Sequence, residues 1–287
     1  MGQVAATRKQ QILRNFLLIV PQFVLFYILL SPAVAMPFYN KMLFFPAKVY
    51  YADVKSVAGV AKETVNFASA NKNVLEAWYF PVANSRGTVI ISHGNAGNIS
   101  HRVPLIGVLL SQNFSVLAYD YQGYGNSQGE PSIENICDDG LAAYDFLISR
   151  GVNPEKIVVY GESLGGGVTS HIAAHRKVGA IILQSTFSSL PHVAKKKMLL
   201  MRLYPLFLYP KNKLDSAQLL AEQHAPLLIV HGKADSIIPF SESEVLFAKA
   251  SEPKKLAAIE HANHNDIYGE YIDTFNNEVS AFLDSVL

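Results

Sequence analysis

The stretch Ile157-Val-Val-Tyr-Gly-Glu-Ser-Leu-Gly-Gly-Gly167 decides the fold, because two kinds of secondary structure meet within it. Its apolar, β-branched start is typical of a buried strand, and the small residues after Ser163 are compatible with the start of a helix. Gly161 and Gly165 flank Ser163 in the pattern G-x-S-x-G. In such a strand–turn–helix unit the serine hydroxyl stands clear of the sheet. The stretch therefore predicts Ser163 as a nucleophile, with an ordinary glycine-rich turn as the alternative.

Asp235 is the candidate acid, because it lies just beyond a second predicted strand. The apolar run 226–230 is typical of a buried strand, and Asp235 follows it closely. The functional sites of parallel α/β sheets lie at the carboxyl ends of the strands. Asp266 is the alternative acid, although its place before a final helix also suits an N-cap.

His264 is the candidate base, in the loop that follows the last predicted strand, 255–259. A serine hydroxyl is a weak nucleophile and needs such a base, oriented in turn by an acid. His264 lies deeper in the loop than His261, which remains the alternative base. The order Ser163, Asp235, His264 is one of the known chain orders of a Ser–Asp–His triad.

A second glycine-containing loop, His93-Gly-Asn-Ala-Gly-Asn98, follows the β-branched run 88–92. A tetrahedral intermediate needs main-chain N–H groups aimed at its oxyanion. We expect Leu164, the residue after the nucleophile, to supply one donor of this oxyanion hole. We expect Asn95 to supply the other through its main-chain N–H, with Ala96 as the alternative.

Strands alternate with helices along the body of the chain, which predicts an α/β fold with a mostly parallel central sheet flanked by helices. The predicted strands span residues 64–68, 75–80, 88–92, 115–120, 156–160, 180–184, 226–230 and 255–259. The predicted helices span residues 132–150, 163–175 and 266–287. Residues 186–224 break this rhythm with three lysines, 195–197, and an apolar, aromatic stretch, 198–209. This segment predicts a small cap over the site.

The N-terminus is apolar from Phe16 to Leu30 and again from Pro32 to Phe38, about the length that a bilayer requires. Arg8, Lys9 and Arg14 precede it, which favours a cytoplasmic N-terminus and a catalytic body on the extracytoplasmic side. Residues 1–40 are therefore predicted to form a tail and single-pass membrane anchor, and residues 41–287 the catalytic domain. A signal peptide cleaved near Ala35, which would leave a secreted or periplasmic protein, and a buried apolar helix are the alternatives.

Composition excludes several classes of protein. The formal net charge of +1 offers no global field for nucleic acid. The single cysteine, Cys137, rules out an internal disulfide, and no zinc-type spacing of Cys and His occurs. We predict neither a cofactor nor a metal. The oligomeric state is not predicted.

Taken together, the motifs resemble the bem46-like branch of the α/β-hydrolase superfamily, which includes the mammalian hydrolase-domain proteins of types 13 and 17 and bacterial membrane-anchored relatives. The matching segments are residues 93–98, 120–125, 161–166, 231–239 and 264–266. The resemblance implies the α/β-hydrolase fold and a triad of Ser163, Asp235 and His264. It carries little information about the substrate.

The leading hypothesis is a membrane-anchored serine hydrolase of carboxylic esters or thioesters. The apolar cap beside a membrane segment suggests small-molecule or lipid acyl substrates, and the basic residues 195–197 and Arg202 could meet anionic headgroups. A serine peptidase with the same triad and a non-catalytic receptor or scaffold are the rival hypotheses.

Overall fold

One sheet of eight strands organises the fold. The computed structural model describes residues 2–51, 54–210 and 214–287, with the side chains of residues 2–9 and 12 left out. The strands along the described chain are β1 (Phe45–Pro46), β2 (Ser56–Val57), β3 (Val60–Ala61), β4 (Glu63–Ala68), β5 (Val74–Phe80), β6 (Thr88–Ser92), β7 (Ala96–Gly97), β8 (Ser115–Tyr119), β9 (Ile157–Glu162), β10 (Ala180–Gln184), β11 (Leu227–Gly232) and β12 (Lys254–Ile259).

The large sheet has the order β12-β11-β10-β9-β6-β8-β5-β4. Pairing is parallel from β12 through β8 and antiparallel from β8 to β5 and from β5 to β4. The predicted mostly parallel sheet is therefore confirmed. The β-branched runs of β6 and β10 are buried along their whole length, as expected for parallel strands covered on both faces.

Helices cover both faces of this sheet. Those of the described chain are α1 (Gly2–Leu29), α2 (Pro32–Leu43), α3 (Val103–Ser111), α4 (Ile133–Ser149), α5 (Leu164–His175), α6 (Leu190–Lys197), α7 (Ser216–Leu219), α8 (Ser241–Lys249) and α9 (Ile272–Val286). One apolar layer contains residues of α4, α5 and α8, and the opposite layer contains residues of α3 and α9. Ser132 is the N-cap of α4, since its Oγ accepts a hydrogen bond from the Asn135 N–H at 3.1 Å.

Two features of the helices differ from the sequence prediction. The last helix begins at Ile272 rather than at residue 266, because Asp266 instead closes a turn by accepting a hydrogen bond from the Asn263 N–H. Helices α3 and α8 were not predicted. The sequence of α3 is apolar on nearly every side and lacks a helical period, which makes it resemble a buried strand.

The N-terminal helices α1 and α2 are separated by a bend. Within the described residues, no helix by itself is both long enough and apolar enough to cross a membrane, whereas Leu13–Leu29 and Pro32–Leu43, bent by 54°, pass that test only as a pair. Pro32 is buried, and Met36, Tyr39 and Leu43 on the same side of α2 are partly buried. One side of α2 therefore packs against the rest of the chain. The side chains of the predicted basic flank at Arg8 and Lys9 lie outside the described residues.

The segment predicted as a cap is irregular. It contains α6, two short 3-10 turns at Leu199–Leu203 and Leu206–Leu208, and α7. Residues 211–213 of this segment lie outside the described residues. The 3-10 turns approach the N-terminal helix α1, where the Tyr27 hydroxyl donates to the Leu203 carbonyl oxygen at 2.9 Å.

Candidate active site

Ser163 occupies the tight turn between β9 and α5 that the sequence predicts. Its φ of 53° is rare for a residue with a side chain, and such strain concentrates at functional sites. A Cβ added at Gly165 would lie 1.9 Å from the Ser92 carbonyl oxygen, and one at Gly161 would lie 2.5 Å from the Gly165 carbonyl oxygen. Glycine at 165 therefore allows the turn to pack against the end of β6, and glycine at 161 allows it to pack against the start of α5.

The structure brings Ser163, His264 and Asp235 into one chain of polar contacts. The Nε2 atom of His264 lies 3.2 Å from the Ser163 Oγ. The Nδ1 atom of the same ring lies 2.6 Å from the Asp235 Oδ2. Because Nδ1 faces a carboxylate, it carries the proton, and Nε2 is left to accept the serine proton when the ring is neutral.

Asp235 is held as a carboxylate by its neighbours. Burial by itself would raise the pKa of this group, but hydrogen bonds from His231 and His264 and the main-chain N–H of Ile238 bring the pKa well below its usual value. The other carboxylate oxygen, Oδ1, accepts hydrogen bonds from the N–H groups of Ile237 and Ile238 at 2.8 and 2.7 Å. Asp235 is thus fixed in both charge and orientation.

A second histidine, His231 at the end of β11, supports Asp235 from the protein interior. Its Nε2 lies 3.1 Å from the Asp235 Oδ2 and 2.9 Å from the Ile238 carbonyl oxygen, so this nitrogen is the donor. Its Nδ1 lies 2.5 Å from the Ser243 Oγ. His231 is buried, and its contacts make it a support for the acid rather than a second base.

The loop that carries His264 is tied to the sheet by Tyr268. The Tyr268 hydroxyl contacts the Tyr160 hydroxyl at 2.8 Å and the Gln184 side-chain oxygen. Both partners belong to central strands, β9 and β10. This attachment holds the turns at residues 263–271 in place without a regular helix.

The loop after β6 lies beside the nucleophile. Asn95 and Ala96 line the same cleft as Ser163 and His264, with a volume of about 380 Å³. The carbonyl oxygen of Asn95 accepts hydrogen bonds from the Phe45 N–H at 2.9 Å and the Tyr124 hydroxyl at 2.6 Å. These bonds fix the peptide that precedes Ala96, while the side chain of Asn95 turns away and donates to the Leu43 carbonyl oxygen at 2.8 Å.

Leu164, the other predicted oxyanion donor, is the first residue of α5, and the N–H groups of a first helical turn have no partner within the helix. Both predicted donors therefore border the nucleophile.

A buried ion pair, which the sequence did not reveal, joins this loop to the nucleophile turn. The Arg102 guanidinium contacts both carboxylate oxygens of Glu162 at 2.9 and 3.2 Å. Its Nη2 atom also donates to the Ala96 carbonyl oxygen at 3.3 Å. The two side chains are only 10% and 17% exposed. Arg102 therefore links the residue before Ser163 to the predicted oxyanion loop.

The first helix of the cap segment is anchored by a buried carboxylate. Glu242 of α8 accepts hydrogen bonds from the Ser188 hydroxyl at 2.7 Å and contacts the Lys196 Nζ at 2.7 Å and the His192 Nδ1 at 3.1 Å. Burial by itself would raise the pKa of Glu242, but Lys196 and Ser188 lower it. Sequence reasoning missed this cluster because its members are about fifty residues apart along the chain.

The alternative site residues do not reach Ser163. His261 is exposed and has a left-handed backbone, with φ of 62°. Asp266 is exposed and bonded to the Asn263 N–H rather than to His264. Within the residues that the structure describes, no cluster of His, Cys, Asp and Glu side chains could hold a metal ion.

Comparison with known proteins gives the same fold and a family. The family described as serine aminopeptidase, S33, matches residues 83–223. YfhR of Escherichia coli K12, an uncharacterized protein, is 32% identical over 275 residues, which cover 92% of each chain. The α/β-hydrolase domain-containing protein 17B of Xenopus tropicalis is 33% identical over 69% of this chain and 67% of its own. Among solved structures, the Pyrococcus furiosus esterase Pf2001 superposes with a TM-score of 0.70 at 21% identity, over 84% of this chain and 99% of its own.

The protein is thus an α/β-hydrolase-fold protein with a Ser, His and Asp in contact at the carboxyl edge of its sheet. The chain belongs to the α/β-hydrolase superfamily, in the group that contains YfhR and the α/β-hydrolase domain-containing protein 17B. The family predicted from the sequence motifs is confirmed.

Proposed function

We propose that this protein is a serine hydrolase that cleaves carboxylic esters or thioesters of apolar acyl groups. The observation that carries the proposal is the contact chain from the Ser163 Oγ through His264 to Asp235. A base within hydrogen-bond reach of the serine, oriented by a buried carboxylate, is the arrangement that activates a serine nucleophile.

In this mechanism the Ser163 Oγ attacks the substrate carbonyl carbon while its proton passes to the His264 Nε2. The carbonyl oxygen becomes an oxyanion, which accepts hydrogen bonds from the main-chain N–H groups of Leu164 and Asn95. His264 then protonates the leaving alcohol or thiol, and an acyl ester remains on Ser163. A water molecule, deprotonated by His264, attacks this ester and releases the carboxylic acid and the serine.

The residues around the cleft favour an acyl ester as substrate over a peptide with a free amino terminus. An aminopeptidase must bind the ammonium group of its substrate, for which an unpaired carboxylate would serve. Among the described residues that line the cleft, the carboxylate is that of Glu162, and Arg102 already neutralises it. The family description nevertheless names an aminopeptidase, so cleavage of peptides is the second candidate activity.

We also propose that the N-terminal helices anchor the protein in a membrane, with the catalytic domain on the extracytoplasmic side. The bent pair α1–α2 is apolar, and α1 exposes large apolar side chains such as Phe23 and Phe26. Beside α1, the cap segment exposes Leu199 and Phe207, which are 77% and 81% accessible. Apolar surfaces of this extent on neighbouring elements are typical of membrane contact.

Labelling with a fluorophosphonate probe tests the proposed chemistry. We expect the full-length protein to be labelled at Ser163 and to hydrolyse p-nitrophenyl esters, and the Ser163→Ala variant to do neither. Labelling followed by cleavage of aminoacyl p-nitroanilides but not of esters would favour the peptidase. A folded protein that is not labelled would contradict both enzyme hypotheses and support the scaffold.

Vesicles of anionic phospholipid test the membrane contact of the cap segment. Lys196 is unsuitable for this test because it pairs with the buried Glu242. Replacement of Lys195, Lys197 and Arg202 by Gln should weaken activity on esters embedded in anionic vesicles but not on soluble esters. Equal losses on both would contradict the contact.

A further inference from the structure

An apolar cavity separate from the cleft lies between the N-terminal helix α2 and the cap segment. Its volume is about 160 Å³. One wall consists of Met36, Tyr39 and Leu43 of α2, and the facing wall contains Leu190 and Ala194 of α6. The cavity is partly open to the surface, and its volume is about that of a cavity in another protein that accepts benzene, with six carbons.

Methionine is concentrated in this cavity. The four methionines within the described residues all line it: Met36, Met42, Met198 and Met201. Methionine side chains are unbranched and flexible, so the walls they form adapt to apolar ligands of different length. A core that served only stability would be better filled by residues with fixed rotamers. The composition therefore indicates a binding surface for a flexible apolar chain.

The cavity adjoins the catalytic cleft. Leu43 lines the cavity, Asn95 lines the cleft, and the Asn95 side chain donates a hydrogen bond to the Leu43 carbonyl oxygen at 2.8 Å. Strand β1, which follows Leu43 after one residue, pairs with β7 of the proposed oxyanion loop. The two spaces are therefore neighbours, and the contact between the Asn95 side chain and the Leu43 carbonyl lies between them.

We propose that this cavity binds the acyl chain of the ester substrate, and that helix α2 supplies one wall of the substrate site. The inference rests on the proposed esterase function and adds to it a location for the acyl chain and a role for the N-terminal segment. A chain that extends from the carbonyl past Asn95 into the cavity would replace water contacts by contacts with Met36, Met198 and Ala194. Each methylene buried there favours the longer ester by about fourfold.

A filling substitution on the cap wall tests the cavity. Ala194→Phe places a ring in it, and the control Gln218→Phe adds the same ring at an exposed position of α7. The measurement is kcat/KM for p-nitrophenyl octanoate divided by kcat/KM for p-nitrophenyl acetate, with full-length protein in one detergent. We expect Ala194→Phe to lower this ratio at least tenfold, since about two methylenes lose their place. The control should keep the wild-type ratio.

A second pair of variants tests the wall that α2 supplies and does not depend on the folding of Ala194→Phe. Met36→Ala enlarges the cavity, and Lys41→Ala shortens an exposed side chain of the same helix. We expect Met36→Ala to raise the ratio of dodecanoate to octanoate hydrolysis several-fold, and Lys41→Ala to leave it unchanged.

The outcomes separate the two proposals. If the wild-type protein hydrolyses the acetate ester but Ala194→Phe and Met36→Ala leave both chain-length ratios unchanged, the cavity is not the acyl site and the esterase function stands. If these variants instead reduce only the amount of phospholipid that copurifies, the cavity holds a bystander lipid tail, and the acyl assignment is wrong. If the wild-type protein hydrolyses no ester and Ser163 is not labelled, the proposed function itself fails.

Discussion

Replacement of Asp235 by Asn probes the proposed triad at its best-defined contact. Each carboxylate oxygen faces only donors: Oδ2 faces the ring nitrogens of His264 and His231, and Oδ1 faces the N–H groups of Ile237 and Ile238. An amide has one oxygen and one NH₂ group. Whichever way it is turned, the NH₂ group meets two donors, so neither orientation satisfies the site.

The expected loss of activity is large. With Asn at position 235, His264 is no longer fixed with its proton on Nδ1, and in another serine hydrolase the equivalent change lowers kcat by about 10⁴-fold. This corresponds to about 5 kcal/mol of transition-state stabilisation. The free energy of unfolding should also fall, because each buried donor left without an acceptor costs about 1–3 kcal/mol.

The assay is kcat on p-nitrophenyl butyrate together with urea unfolding at neutral pH. Asp266→Asn is the matched control, since Asp266 is exposed and its remaining amide oxygen can still accept the Asn263 N–H. The control should keep a kcat close to the wild-type value. If Asp235→Asn retained a tenth of the activity, or if Asp266→Asn lost as much, the assignment of Asp235 as the acid would be refuted.

Three further predictions concern stability. Arg102→Met should lower the free energy of unfolding by about 3 kcal/mol, because it leaves the Glu162 carboxylate unpaired. The double variant Arg102→Met/Glu162→Gln should recover most of this loss in urea unfolding, and additive effects of the two substitutions would contradict the coupling. Gly165→Ala should yield no soluble, folded protein, since its Cβ would meet the Ser92 carbonyl oxygen; a normal thermal unfolding curve would contradict this. The pKa of Asp235 is lowered on folding, so its contribution to stability is present above about pH 4 and is lost as the pH falls further. In a plot of the free energy of unfolding against pH, Asp235→Ala should therefore reduce the fall in stability at acid pH. An unchanged fall would contradict the assignment.

The strands and the proposed triad could be predicted because their signals are local. A parallel strand buried on both faces, such as β9 or β11, appears as an apolar run, and Ser163 and Asp235 follow these two strands closely. His264 lies in the loop after β12, an edge strand that is only partly buried. The oxyanion loop follows β6 in the same way. In each of these segments, the position of the site residue is determined mainly by the residues next to it in the sequence.

The remaining features depend on contacts between distant segments. Arg102 and Glu162 are sixty residues apart, and the Asn95 side chain bonds to a carbonyl fifty-two residues earlier in the chain. The contact between α2 and the body of the protein was not predicted in detail. The apolar composition of α2 was interpreted mainly as a membrane signal, with a buried apolar helix as an alternative. The end of the membrane anchor at residue 40 stays a prediction. In the structure, one side of α2 is partly buried against the residues that follow it.

The anchoring of α6 by Glu242 limits how substrate and product can travel. To swing α6 outward, the protein would have to separate Lys196 and His192, which are 34% and 40% exposed, from the buried Glu242 carboxylate. That step is costly because it leaves a buried charge without its partners. A hinge motion that opens the cap is therefore disfavoured. If the cavity binds the acyl chain as proposed, substrate and product would pass between α2 and the stretch Met198–Tyr209, both of which line it. An acyl chain would slide lengthwise between them, and the released fatty acid would leave by the same path.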